Sequence, residues 1–218
     1  DFIIHEVVPF IKNEYNTSSL IVMGKSSGGY GAFSLAGNNH TVFQGLVSHS
    51  GDCGFEYCYI PDFPIAMETL RSSRGVKNWL KTFWSNAHSD RSKSSQMKTL
   101  NIVAMSAHYS PNAKSKNGFD LPFNYHTGEI IDKVWKMWQS KDSVRLVDSL
   151  KSKLRHLKYI YIDCGVYDEF NLQLGNRALH YKLKKLGIKH YYEEFDGGHF
   201  NTSFRFDRSL ELASKIFR

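Results

Sequence analysis

A serine held in a tight turn, with an aspartate and a histidine far downstream, can take an acyl group from an ester, and this chain offers that set. Residues 20–32 read LIVMGKSSGGYGA. Within them Gly24-Lys25-Ser26-Ser27-Gly28 spells G-x-S-x-G, the turn that exposes a nucleophilic serine between a buried strand and a helix. The same letters hold Gly-Lys-Ser, the tail of a phosphate-binding loop. That reading needs a glycine five positions before Gly24, where Ser19 stands, and a loop where residues 20–23 are wholly apolar. No backbone cradle for phosphate can form there. Ser26 is therefore the expected nucleophile, since with Ser27 in that role the long Lys25 side chain would occupy a crowded flanking position. Gly24 and Gly28 meet the demand for small residues two before and two after Ser26, and Gly29 and Gly31 are expected to let the helix pack closely.

A serine hydroxyl needs a general base and an acid that orients the base, and in this strand–turn–helix setting they follow in the order acid, histidine. His5, His88, His108 and His180 fall in expected helices or exposed turns. His199 sits in Asp196-Gly197-Gly198-His199-Phe200, a glycine loop between the last strand and the last helix, and is the expected base. Asp168, in Gly165-Val166-Tyr167-Asp168 just past the third strand, is the expected acid. Asp52 after the second strand and Asp163 at the end of the third remain alternatives. Asp163 is the better suited of these two to a structural hydrogen bond.

These residues need elements to carry them. SLIVM (19–23), FQGLVS (43–48) and LKYIYID (157–163) are apolar runs that predict strands buried on both faces, and KHYYEEF (189–195) alternates as an edge strand does. Helical spacing predicts helices over 1–14, with Asp1 as N-cap, and over 27–38, 172–186 and 203–217. Alternation of strand and helix predicts a parallel α/β fold. The long stretch between the second and third strands reads differently. Segments 76–84, 96–107 and 130–150 look helical between Pro, Asn, Gly and Ser, so a helical cap-like insertion at about 53–150 is expected within a single domain over 1–218. Aromatic residues in it (Phe55, Tyr57, Tyr59, Trp79, Trp84) are expected in the core rather than at a ligand.

The 218 residues are 41% hydrophobic and 22% charged, the balance of a folded domain. Lys and Arg number 28 against 21 Asp and Glu, but they scatter over helix faces such as 151–158 and 182–189, so nucleic acid is not an expected partner. Three cysteines make no even framework, and Cys53-x4-Cys58 lacks the spacing and partners of a zinc site. No metal and no organic cofactor is expected. The cysteines, together with the lack of a signal-like or membrane-length apolar run, suggest a cytoplasmic setting.

GKSSGGYGA, SHSGDCGFEYCYIPDFP, IDCGVYDEFNL and EEFDGGHF, in that order along nearly the whole chain, resemble the putative esterase family of α/β-hydrolases. S-formylglutathione hydrolase and the mycolyltransferases belong to that family. The resemblance implies an α/β-hydrolase fold with Ser26 as nucleophile, Asp168 as acid, His199 as base and the Ser27 backbone N–H as one oxyanion donor. It implies a serine hydrolase of carboxylesterase type acting on a small-molecule ester or thioester through an acyl-enzyme. The alternatives are an acyltransferase with the same triad, or a catalytically impaired remnant kept for binding. In the family the nucleophile follows the fifth strand and a second oxyanion donor follows the third. The resemblance thus implies that about a hundred residues, with four strands and that donor, precede Asp1 in the intact protein. The other expectation is a truncated gene product, and in either case the 218-residue chain alone is expected to be poorly soluble and weakly active or inactive.

Overall fold

The structure, a computed structural model, describes residues 2–86 and 88–217. Asp1, the expected N-cap, lies outside them. Four strands, β1 (Ile21–Lys25), β2 (Gly45–His49), β3 (Tyr159–Gly165) and β4 (Tyr191–Phe195), form one parallel sheet in the order β1-β2-β3-β4. The helices before β3 are α1 (Val8–Tyr15), α2 (Ser27–Asn38), α3 (Phe55–Cys58), α4 (Phe63–Ser72), α5 (Val76–Ser85), α6 (His88–Arg91), α7 (Ser94–Tyr109), α8 (Asp132–Gln139) and α9 (Ser143–Leu154). After it come α10 (Leu172–Lys185) and α11 (Phe204–Ile216).

Each strand begins two residues later than its apolar run. Leu20 is drawn to Gln44 instead, its N–H donating to Oε1 at 2.7 Å while its carbonyl accepts the Gln44 amide at 2.9 Å. The ladder starts at Ile21 opposite Gly45, and Gly45 lies opposite Tyr159. Strands β2 and β3 are buried along their whole length because helices cover both faces. On one face Phe33 of α2, Val147 of α9 and Leu179 of α10 pack with Leu46 and Ile160. On the other, Ala213 of α11 packs with Val47, Tyr159 and Tyr161. A separate aromatic cluster, including Phe55, Tyr59, Phe63, Trp79, Tyr109 and Trp138, fills the space among α3–α8 and meets the rest through Tyr30, Cys164 and Leu172.

Three helical readings are corrected. Residues 3–7 form a wide π-type turn before α1, because Pro9 has no N–H to donate back and its ring crowds the carbonyl four residues earlier. The helix expected over 130–150 breaks into α8 and α9. Asp142 lies at the break, where its side chain accepts the Val144 N–H at 3.0 Å as an N-cap. That same carboxylate accepts the Gly54 and Phe55 N–H groups at 2.9 and 3.0 Å, so the cap of α9 also fixes the loop after β2. Helices α3 and α4 were not expected, and Pro64 in the first turn of α4 is the one signal that could have shown it.

Helix α11 is fastened to the sheet by polar groups as well as by Ala213. Asp163, fully buried within β3, accepts from His49 Nδ1 at 2.8 Å, Arg205 Nε at 2.8 Å and the Tyr161 hydroxyl at 3.1 Å. Removing one member of such a network strands the others without charge compensation, at a cost of about 3–5 kcal/mol. Asp163→Ala is therefore expected to lower the thermal unfolding midpoint by roughly 10 °C, as read by circular dichroism.

Candidate active site

The carboxyl ends of the four strands each deliver one polar side chain: Ser26 after β1, Asp52 after β2, Asp168 after β3 and His199 after β4. Ser26 has φ 58° and ψ −129°, a backbone region that a non-glycine residue enters only under strain of about 1–3 kcal/mol. Neighbouring amides hold it there. Its N–H donates to the His49 carbonyl at 2.9 Å, and its own carbonyl accepts from Gly29, Tyr30 and Asp52 at 2.8, 3.1 and 3.3 Å.

The glycines around it divide. A Cβ on Gly24 would sit 2.3 Å from the Gly28 carbonyl oxygen, and one on Gly29 would meet Gly51 Cα and Ser48 Oγ at 2.8 Å. A Cβ on Gly28 or Gly31 would meet nothing within 4 Å. The expected demand for small residues thus falls on Gly24 and Gly29. Gly28 contributes its backbone to the close approach, and Gly31 is not a contact point.

His199, almost fully buried, is held at three places by three consecutive residues. Its Nδ1 lies 2.8 Å from Asp168 Oδ2, its backbone N–H donates to Glu169 Oε2 at 2.6 Å, and its ring meets the Phe170 ring edge-on at 4.8 Å. Asp168, itself buried, also accepts the Phe170 N–H at 3.0 Å and the Cys164 thiol at 3.7 Å. With the imidazole hydrogen on Nδ1, Nε2 is left as an acceptor. Gly165 lets the histidine loop close in, since a Cβ there would lie 2.3 Å from the Gly197 carbonyl.

Ser26 Oγ does not pair with His199. Among the described residues its hydrogen-bond partner is Asp52 Oδ1, at a long 3.5 Å. Asp52 was weighed as an acid for the histidine, whereas the structure sets it against Ser26. Its other oxygen accepts the Tyr59 hydroxyl at 2.9 Å. Burial raises the Asp52 carboxyl to about 6, opposed by Tyr59, by the nearby His199 and by Ser26. Tyr59 is pushed up by its own burial and by Asp52.

A cavity of about 450 Å³ opens over this group, bordered by Ser26, Asp52, Tyr59, Met97, Phe170 and Leu172. Glu169 and Phe200 also border it, which joins the histidine loop to the serine side. Ser27, an exposed residue at the start of α2, borders the cavity, and its N–H has no hydrogen-bond acceptor among the described residues. Tyr59, expected in the core, is buried there and also borders the cavity, while Glu169 and Phe170 were not anticipated at it. Glu169 and Phe170 directly follow Asp168, and that adjacency was the available signal.

Asp163 stands apart, in the buried network under α11. There Ser209 Oγ lies 3.0 Å from His49 Nε2, and His49 Nδ1 lies 2.8 Å from Asp163. This is a connected Ser–His–Asp chain, with no member more than 2% exposed and so none within reach of a substrate.

The chain matches the family model described as "Esterase: Putative esterase" over residues 1–212. Among solved structures, a ferulic acid esterase superposes with a TM-score of 0.55 at 16% identity, over 100% of this chain and 61% of that one. Acylaminoacyl peptidase from Pyrococcus horikoshii gives 0.51 at 12% identity, over 99% of this chain and 27% of that one. S-formylglutathione hydrolase from Staphylococcus aureus gives 0.49 at 14%, over 98% and 59%. The first two likenesses show an α/β-hydrolase fold, and the chain spans 61% of the length of the first structure. No curated protein matches the sequence.

Two outcomes follow from the elbow and from Asp52. Gly24→Ala is expected to destabilise the protein by several kcal/mol, whereas Gly31→Ala, in open space inside α2, stabilises it by about 0.5–1 kcal/mol; urea unfolding of both variants checks this. A carboxyl raised in the folded state contributes stability that is present below its unfolded value and lost as pH rises through about 6. Asp52→Asn cannot ionise, so relative to the native protein it gains about 2–3 kcal/mol at pH 8 and almost nothing at pH 4, measured by the same unfolding at both pH values.

Proposed function

The chain belongs to the putative esterase family, and from that membership we propose that it carries the catalytic core of a serine hydrolase that cleaves an ester or thioester through an acyl-enzyme on Ser26. The observation that carries this is the strained elbow of Ser26 facing a cavity also bordered by Glu169, Phe170 and Phe200, the chain neighbours of the Asp168–His199 pair. The helical segment α3–α8 serves as the cap that shapes this cavity.

In the proposed reaction Ser26 Oγ turns from Asp52 toward His199 Nε2, which takes its hydrogen as Oγ bonds to the substrate carbonyl carbon. Asp168 keeps the imidazole in the Nδ1–H tautomer and stabilises the imidazolium that forms. The oxyanion points at the Ser27 N–H, where the positive end of α2 adds to the attraction. The C–O or C–S bond to the leaving group then breaks as His199 returns the proton to it. A water deprotonated by His199 releases the acid and restores Ser26. Every group in this cycle is protein or substrate, so it runs without a cofactor. The ligand is a small-molecule ester or thioester. An acyltransferase would put an acceptor alcohol in place of that water.

Treatment with a fluorophosphonate probe is expected to label Ser26, with the adduct located by peptide mass spectrometry. Ser26→Ala abolishes labelling, and His199→Ala or Asp168→Ala slows it by at least a hundredfold. Labelling of Ser26→Ala at the native rate would end the proposal.

A further inference from the structure

Asp52 has no part in the cycle above, yet it is the side chain in contact with the reacting oxygen. It is 7% exposed and borders the cavity, and its two oxygens are spoken for by Ser26 Oγ–H at 3.5 Å and the Tyr59 hydroxyl at 2.9 Å. Its own N–H donates to the Ser26 carbonyl at 3.3 Å, so carboxyl and nucleophile sit on backbone that is tied together. Once Oγ is acylated it has no hydrogen to give. Oδ1 is then a buried acceptor that has lost its donor, which is unfavourable unless another donor takes the place. The atom best placed to do so belongs to the acyl group, because substituents on the carbon next to the carbonyl lie only a few ångströms from Oγ.

We propose that Asp52 is a specificity-determining residue that accepts a hydrogen bond from a hydroxyl or ammonium group on the α carbon of the acyl moiety. This rests on the reading of Ser26 as the acylated residue. The other charges around the cavity fit the same preference. Glu169 is a second carboxylate on the wall, and Lys98, the cation bordering the cavity, is bound to Asp62 at 2.8 Å. An acyl group with its own negative charge meets two carboxylates and a lysine already engaged. An acyl group with a donor beside the carbonyl meets an acceptor.

The test compares hydrolysis of methyl lactate, alanine methyl ester and methyl propionate by the 218-residue chain at pH 7, where the α-ammonium is still mostly protonated and Asp52 is ionised, each rate divided by its hydroxide-catalysed rate to remove intrinsic reactivity. The expected kcat/KM for at least one donor-bearing ester exceeds that for propionate by roughly ten- to a hundredfold, as a hydrogen bond to a charged acceptor provides. Which ester it is separates hydroxyl from ammonium. Asp52→Ala brings the ratio close to one; Asp52→Asn, which keeps the shape and a neutral acceptor, reduces it severalfold and serves if the alanine variant does not fold. A normalised ratio near one in the native protein, or one that survives both substitutions, overturns the proposal. Failure of the underlying reading shows differently, as unchanged hydrolysis of all three esters by Ser26→Ala.

Discussion

The site depends on one uncomfortable residue. Ser26 is held at a positive φ by four hydrogen bonds to its own peptide groups, from β2, from the first turn of α2 and from the loop after β2. Each anchor is itself fixed. His49 ends a wholly buried strand, and its ring is locked between Asp163 and Ser209. The loop at Gly54 and Phe55 is gripped by the Asp142 carboxylate, whose pull on three amides is opposed by burial that raises it. The strain at the elbow persists because the sheet, α2 and the cap segment would all have to shift for it to relax.

The connected Ser209–His49–Asp163 chain, set beside Ser26 and the separate His199–Asp168 pair, shows why relay geometry alone is a poor guide. Ser209, His49 and Asp163 have hydrogen-bond distances of 2.8–3.0 Å, tighter than those around Ser26. Their surroundings differ in two ways. Ser209 lies inside α11, where its Oγ donates to the Phe206 carbonyl at 3.1 Å, and Asp163 is already engaged by Arg205. A hydroxyl committed to its own helix and shut off from solvent is a rivet. Ser26 has a strained backbone, a cavity and an accessible helix amide beside it, and its long contact with Asp52 is weak enough to exchange.

Much of this was legible in the sequence because the relevant signals are local. The apolar run LIVM, the small residues and the helix 27–38 fix the elbow within about five residues, and α2 matches its predicted bounds. That Asp168 and His199 meet was legible because both follow strands at the same end of the sheet. What escaped depends on contacts distant in sequence. Asp142 binding Gly54 across the chain, and Asp52 turning toward Ser26 rather than His199, are set by how the cap packs, and no periodicity encodes that. The tolerance at Gly28 and Gly31 escaped for a related reason, since a motif marks positions without saying which one touches backbone.

The cap's aromatic cluster also decides the electrostatics beneath it. Tyr30, Phe55, Tyr59, Tyr109 and Trp138 stack within about 6 Å of one another, mostly edge to face. Their bulk keeps water from Asp52, which raises its carboxyl, while the Tyr59 hydroxyl inside the same cluster supplies a donor that limits the rise. Had the cluster been aliphatic, the carboxyl would lack that donor and be raised further. The tyrosines thus perform two tasks that pull in opposite directions, drying the site and polarising it, and the balance leaves an ionised carboxylate against Ser26 above about pH 6.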